Sequence, residues 1–137
     1  SYLLEYNVRM GDPETQSVLN LMESDLLELI EASLIEDLKN TEVKWKNEAC
    51  VNVVLSSKGY PGSFTKGYEI TIDDDIKDKV FLAGAKLENE ILKTNGGRVL
   101  SVVGVGETIE KARKDAYKTI EKVEFKDKYF RNDIGLV

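Results

Sequence analysis

The sequence has no histidine, a single cysteine, two prolines and 8 % aromatic residues, and these shortages remove whole classes of chemistry. Without histidine there is no imidazole base, no Ser-His or Cys-His nucleophile pair and no imidazole metal ligand. Cys50 alone can form neither an intrachain disulfide nor a thiolate zinc cage, so any metal held here must be a hard cation on oxygen ligands. No apolar run approaches the roughly 18 residues that cross a bilayer, and no basic segment leading into an apolar one opens the chain. A membrane is therefore not an expected partner, and the cytoplasm is the default location.

What is present suits a globular fold: 137 residues with 42 % apolar side chains can bury a real core. The net charge of −6 is unevenly spread. Residues 1–37 carry nine acids against one base, while residues 38–137 carry sixteen acids against eighteen bases. That balance disfavours general nucleic-acid binding. Because the chain opens on Ser1 and runs at once into a strand-like pattern, a fragment or processed piece is expected.

Period-2 alternation from Tyr2 to Met10 predicts a strand with Tyr2, Leu4, Tyr6, Val8 and Met10 on its apolar face. GDPETQ follows, with Asp12 placed to cap a helix, Pro13 at its first position and Glu14 favoured by the helix dipole. Apolar residues at Val18, Leu19, Met22, Leu26, Leu29, Ile30 and Leu34 carry helical spacing to about Leu38, with re-capping or a kink at Ser24-Asp25. Lys39–Glu48 reads as a connection. Strands are predicted from Ala49 to Ser56, Gly67 to Ile72 and Val80 to Ala83. A type II turn is expected at Tyr60–Ser63. A hairpin is predicted in which Glu90–Thr94 and Arg98–Val105 flank Gly96-Gly97. Thr108 caps a final helix with Ile109, Ala112, Ala116, Tyr117 and Ile120 on its apolar side. Strands in a run with helices at the ends indicate an α+β fold with a largely antiparallel sheet.

Glu5, Asn7 and Arg9 share the other face of the first predicted strand, at roughly 7 Å spacing. Glu5 and Asn7 offer the hard oxygens that Mg²⁺ accepts beside nucleotide phosphates, and Arg9 offers a fork for a carboxylate or phosphate. The plainer alternative is a solvated polar strand face, although Asn is poorly suited to strands. Arg98 is a second anion-binding candidate, and Arg131 is better explained by a pair with Asp133. Glycines 59, 62, 67, 96 and 97 could bring backbone N–H groups close to phosphate, but turn geometry explains most of them, and GVGET at residues 104–108 lacks the remaining glycine and the lysine of a phosphate loop. Cys50 reads as a small packing residue.

LEYNVRMGDPETQ, SDLLEL, GYPG followed by KG, TNGGRVLSVV and RNDIG, in that order, resemble the C-terminal portion of the phosphoribosylamine glycine ligase family, within the ATP-grasp superfamily. Met10 stands where that family usually has Phe, and FLAGA at residues 81–85 replaces a segment usually resembling FHAGT, so no role is carried over to Leu82. The resemblance implies that residues 1–39 are the end of an ATP-grasp domain, a strand plus helix, and that residues 40–137 are a C-terminal domain with a small, largely antiparallel sheet and a packed helix. It implies a ligase of purine biosynthesis, with ATP, glycine and phosphoribosylamine as substrates and the remaining domains of a parent enzyme as partners. Mg²⁺ or Mn²⁺ would be held by Glu5 and Asn7. Arg9 would act at the acyl phosphate, with Asp12 and Arg98 as further substrate contacts. The chain alone is expected to be inactive. Another ATP-grasp ligase with a different acceptor, or a non-catalytic assembly module, are the alternatives.

Overall fold

The computed structural model describes residues 2–4, 6 and 8–136. Its centre is a four-stranded sheet ordered β3-β6-β1-β8, built from β1 (Ala49–Ser57), β3 (Val80–Leu82), β6 (Arg98–Gly106) and β8 (Lys128–Tyr129). Every pairing in it is antiparallel, as the sequence pattern indicated. β1 and β6 are its spine, in register from Ala49 opposite Gly106 to Leu55 opposite Leu100, with a shift where Ser56 meets Arg98. β2 (Ile70–Ile72) pairs with β7 (Val123–Phe125), and β4 (Ala85–Glu88) pairs with β5 (Ile91–Thr94) in two smaller ribbons.

The two faces of the sheet are covered differently. Val51, Val53 and Leu55 point to one side, where they join Leu100 and Val102 beneath α3 (Ile109–Ile120). Ala112, Ala116 and Ile120 of that helix are buried against them, and the Thr108 hydroxyl accepts from the Lys111 amide as a cap. Gly104 makes this close approach possible: a Cβ there would fall onto the Ala112 carbonyl and the Ala116 backbone. On the opposite face, Cys50, Asn52 and Val54 meet α1 (Glu14–Leu21), and Asn52 donates its amide to the Pro13 carbonyl at 2.7 Å. α2 (Leu26–Leu34) follows, with the Asp25 carboxylate accepting from the Leu27 amide at 2.7 Å. The expected break at Ser24-Asp25 is thus a true separation of two helices, and a short 3-10 turn at Leu38–Asn40 ends the run.

Four expectations are corrected. The described part of residues 2–10 forms no strand, and Tyr2, Leu4 and Val8 are each more than 90 % exposed. Alternation supplies an apolar face, but a strand also needs a neighbour's backbone, and among the described residues none lies beside this segment. The first helix starts at Glu14, not Pro13, and Asp12 is not its cap; the Asp12 side chain is engaged elsewhere, while Glu14 accepts from the Gly11 amide at 2.8 Å. The turn after β1 lies one residue earlier than expected, closed by the Gly62 amide on the Gly59 carbonyl at 2.8 Å. Finally, Gly96-Gly97 does not turn a hairpin. β5 pairs back with β4 through Asn89 and Glu90, both at positive φ (50° and 64°) as a mirror-image two-residue turn requires, while β6 crosses to β1 and β3. Gly96 is needed for approach instead: its Cβ would meet the Gly84 Cα at 2.8 Å.

Candidate functional site

The GDPETQ loop is fastened to the sheet by side chains distant in sequence. Arg98, the first residue of β6, donates from Nη1 to the Asp12 carbonyl at 3.1 Å and sets Nη2 3.3 Å from Asp12 Oδ2. Gln16, one turn into α1, donates to Asp12 Oδ1 at 3.0 Å. Both carboxylate oxygens of Asp12 are therefore held by the fold. Inside the loop, the Thr15 amide and hydroxyl donate to the Gly11 carbonyl, at 3.0 and 2.5 Å. The Arg98–Asp12 pair is half-exposed, 43 % and 50 %, so as an ion pair it contributes about 0–1 kcal/mol to stability.

Two adjoining clefts open on this loop. One, of about 450 Å³, is lined by Arg9, Gly11–Glu14, Tyr60 and Arg98. The other, of about 620 Å³, runs between Arg9, Asp12, Thr15 and Leu19 on one side and Phe81, Leu82 and Arg98 on the other. Arg9, Asp12 and Arg98, chosen from sequence as site residues, are thus brought together although Arg98 lies 86 residues beyond Asp12. Arg9 itself is exposed and donates to the neighbouring Met10 carbonyl at 3.0 Å. Arg98 is neutralised by its pair with Asp12, which leaves Arg9 as the cation facing the second cleft, where the apolar wall of Leu19, Phe81 and Leu82 lowers the screening of its charge toward an anionic ligand. Glu5 and Asn7, the expected magnesium ligands, lie outside the described residues. Among the described residues no group of three or more acidic or cysteine side chains converges as a metal site.

Arg131 is placed as expected, bidentate to Asp133 at 2.9 and 2.5 Å. The same tail is tied to α3 by Arg113, which donates to the Ile134 and Asn132 carbonyls, and by the Tyr117 hydroxyl on the Arg131 carbonyl. RNDIG is therefore a docked tail, away from the cleft.

Comparison with known proteins adds to this geometry. Residues 50–137 match the family described as "Phosphoribosylglycinamide synthetase, C domain". The chain belongs to that family. Two curated relatives named phosphoribosylamine–glycine ligase resemble it closely: that of Clostridium acetobutylicum is 52 % identical over 98 % of this chain and 32 % of its own length, and that of Fusobacterium nucleatum is 48 % identical over 98 % and 33 %. A crystal structure of phosphoribosylamine–glycine ligase from Thermotoga maritima superposes with a TM-score of 0.76 at 41 % identity, covering 96 % of this chain and 33 % of that one. The chain spans about a third of the length of these relatives.

Within this family setting, Tyr60, Gln16 and Asn52 are the residues that sequence reasoning passed over. Tyr60 lies in the GYPG segment that carried the resemblance, and its ring fills the space above Gly97, where a Cβ would overlap it. Asn52 had a usable signal: an asparagine inside a strand needs a reason, and here the reason is the Pro13 carbonyl.

Proposed function

We propose that this chain forms the C-terminal third of an ATP-dependent ligase of purine biosynthesis, in which glycine is joined to 5-phosphoribosylamine. Residues 1–39 end the ATP-grasp domain and residues 40–137 form the C-terminal domain, and the enzyme works in the cytoplasm. The observation that carries this reading is the convergence of Arg9, Asp12 and Arg98 on one cleft in a chain whose relatives bear the ligase name.

The reaction needs no enzyme nucleophile, which suits a chain without histidine. The glycine carboxylate attacks the γ-phosphorus of ATP, ADP leaves, and glycyl phosphate forms. The amine of phosphoribosylamine then attacks the acyl carbon, loses a proton and expels phosphate, giving glycinamide ribonucleotide. Catalysis of this type rests on positioning and on neutralising phosphoryl charge. Arg9 serves here as the cation beside the carboxylate and acyl phosphate. Asp12 lines the same cleft and is held there by Arg98. Glu5 and Asn7 are the residues that would hold Mg²⁺ or Mn²⁺, since a carboxylate and an amide oxygen are the hard donors such an ion accepts, and the ion would supply neutralisation of the phosphate charge.

Glu5→Ala and Asn7→Ala in the full-length ligase test the assignment. Mg²⁺-ATP turnover should fall at least tenfold, with KM for glycine changed far less. Unchanged turnover would favour a non-catalytic assembly module instead. The 137-residue chain alone should show no glycine-dependent ATP hydrolysis.

A further inference from the structure

We infer that Arg98 is a positioning residue, which acts on the reaction through Asp12 and holds the Arg9–Asp12 loop in register with the sheet. The inference rests on the ligase reading for its kinetic consequences, but its structural part stands without it. Arg98 is fixed by β6, whose backbone pairs with both β1 and β3. From there its guanidinium donates to the Asp12 carbonyl at 3.1 Å and lies 3.3 Å from Oδ2 of the same residue as an ion pair. Gln16 holds Oδ1 from the other side at 3.0 Å, and Asn52 holds the next carbonyl, that of Pro13, at 2.7 Å. The loop carrying Arg9 is thus tied to the rigid sheet at consecutive residues.

A half-exposed ion pair stabilises a fold only weakly, so stability gives little reason for this arrangement. Its geometric effect is large by comparison. One hydrogen bond to the Asp12 carbonyl and one ion-pair contact to its carboxylate define distance and direction together, and the planar fork of arginine reaches both where lysine supplies a single point charge. Arg9 lies three residues before Asp12 and lines the same cleft, so a shift of the Asp12 backbone moves Arg9 relative to Tyr60 and Phe81. Misplacement of a cation by about 1 Å is enough to lose much of a rate that depends on positioning.

The test is a double-mutant cycle in the full-length ligase with Arg98→Lys, Asp12→Asn and the pair together. If Arg98 acts through Asp12, each single change lowers kcat at least tenfold while KM for ATP and glycine stays within about threefold, and the pair is no worse than the more severe single. Multiplying effects, or a raised KM for one anionic substrate with kcat preserved, would show a direct substrate contact and overturn the proposal. So would an Arg98→Lys enzyme with unaltered kinetics. Amide hydrogen exchange in the intact 137-residue chain separates this from failure of the ligase reading. If the wild-type enzyme shows no glycine-dependent ADP release, the ligase reading falls. The positioning role is then still supported by exchange of the Gly11 and Thr15 amides at least tenfold faster in Arg98→Gln, and is overturned by unchanged exchange.

Discussion

Glu88 shows how strongly one side chain can be set by its neighbours without being buried. Lys86 and Lys93, from the two strands of the β4–β5 ribbon, both donate to it, and together they lower its carboxyl from the usual 4.5 to about 2. A depressed folded-state pKa stabilises above the unfolded value and loses that stabilisation as the pH falls through the folded value. The stability difference between the native chain and Glu88→Gln should therefore be constant above about pH 5 and shrink toward zero near pH 2, followed by urea midpoints across that range. A difference unchanged at the acid end would contradict the ion-pair origin. Salt should flatten the effect, because the site is open to solvent. At this same scale the cleft is partly legible in the sequence: arginine is the better fork for anions, which makes Arg9 and Arg98 separate candidates that the fold then brings together. Local spacing makes Asp12 resemble a helix cap. It is held instead by Gln16, four residues on, and by Arg98, 86 residues away, and no local pattern encodes the second pairing.

Elements were legible where a local signal and the final packing agree. α3 combines a threonine cap, an alanine-lined face and a terminal isoleucine, and its buried residues are Ala112, Ala116, Thr119 and Ile120. Strand partners were less legible, because alternation fixes which side chains face together but not which backbone lies alongside. Gly96-Gly97 carried a turn-like dipeptide, whereas the true hairpin turn at Asn89-Glu90 contains no glycine. Helix α3 can lie against β6 only because Gly104 lacks a side chain. Gly104→Ala should force the helix away from β6 and cost about 1–3 kcal/mol in denaturant unfolding, with the loss concentrated in the near-UV signal of Tyr117. Thr108→Ala provides a calibration, since removal of its cap should cost about 1 kcal/mol without moving the helix.

Across the whole molecule, burial is concentrated in the later part of the chain. Every buried residue of the hydrophobic core lies between Val51 and Phe125, whereas α1 buries none of its residues and α2 only Ala32. Leu27, Leu34 and Ile35 are each at least 60 % exposed, so residues 11–40 are held mainly by α1 on the outer face of β1, by the Arg98 and Asn52 side chains on Asp12 and Pro13, and by the backbone bonds from Lys46 to Leu21 and from Glu23 to Lys44. Segments with few buried contacts open below the global unfolding free energy. Cys50 reports on this opening: it lies half-buried on β1 next to Ser17 of α1, and that burial raises its thiol pKa. With α1 docked, the thiol is half-covered and its raised pKa disfavours the reactive thiolate, so α1 docking should slow its reaction with a disulfide reagent. We expect thiol labelling of the intact chain to become fast at a urea concentration below the midpoint of the far-UV transition, with a smaller denaturant slope, because only the α1–α2 segment has lifted. Coincident transitions would instead mean that α1 and the sheet unfold as one unit.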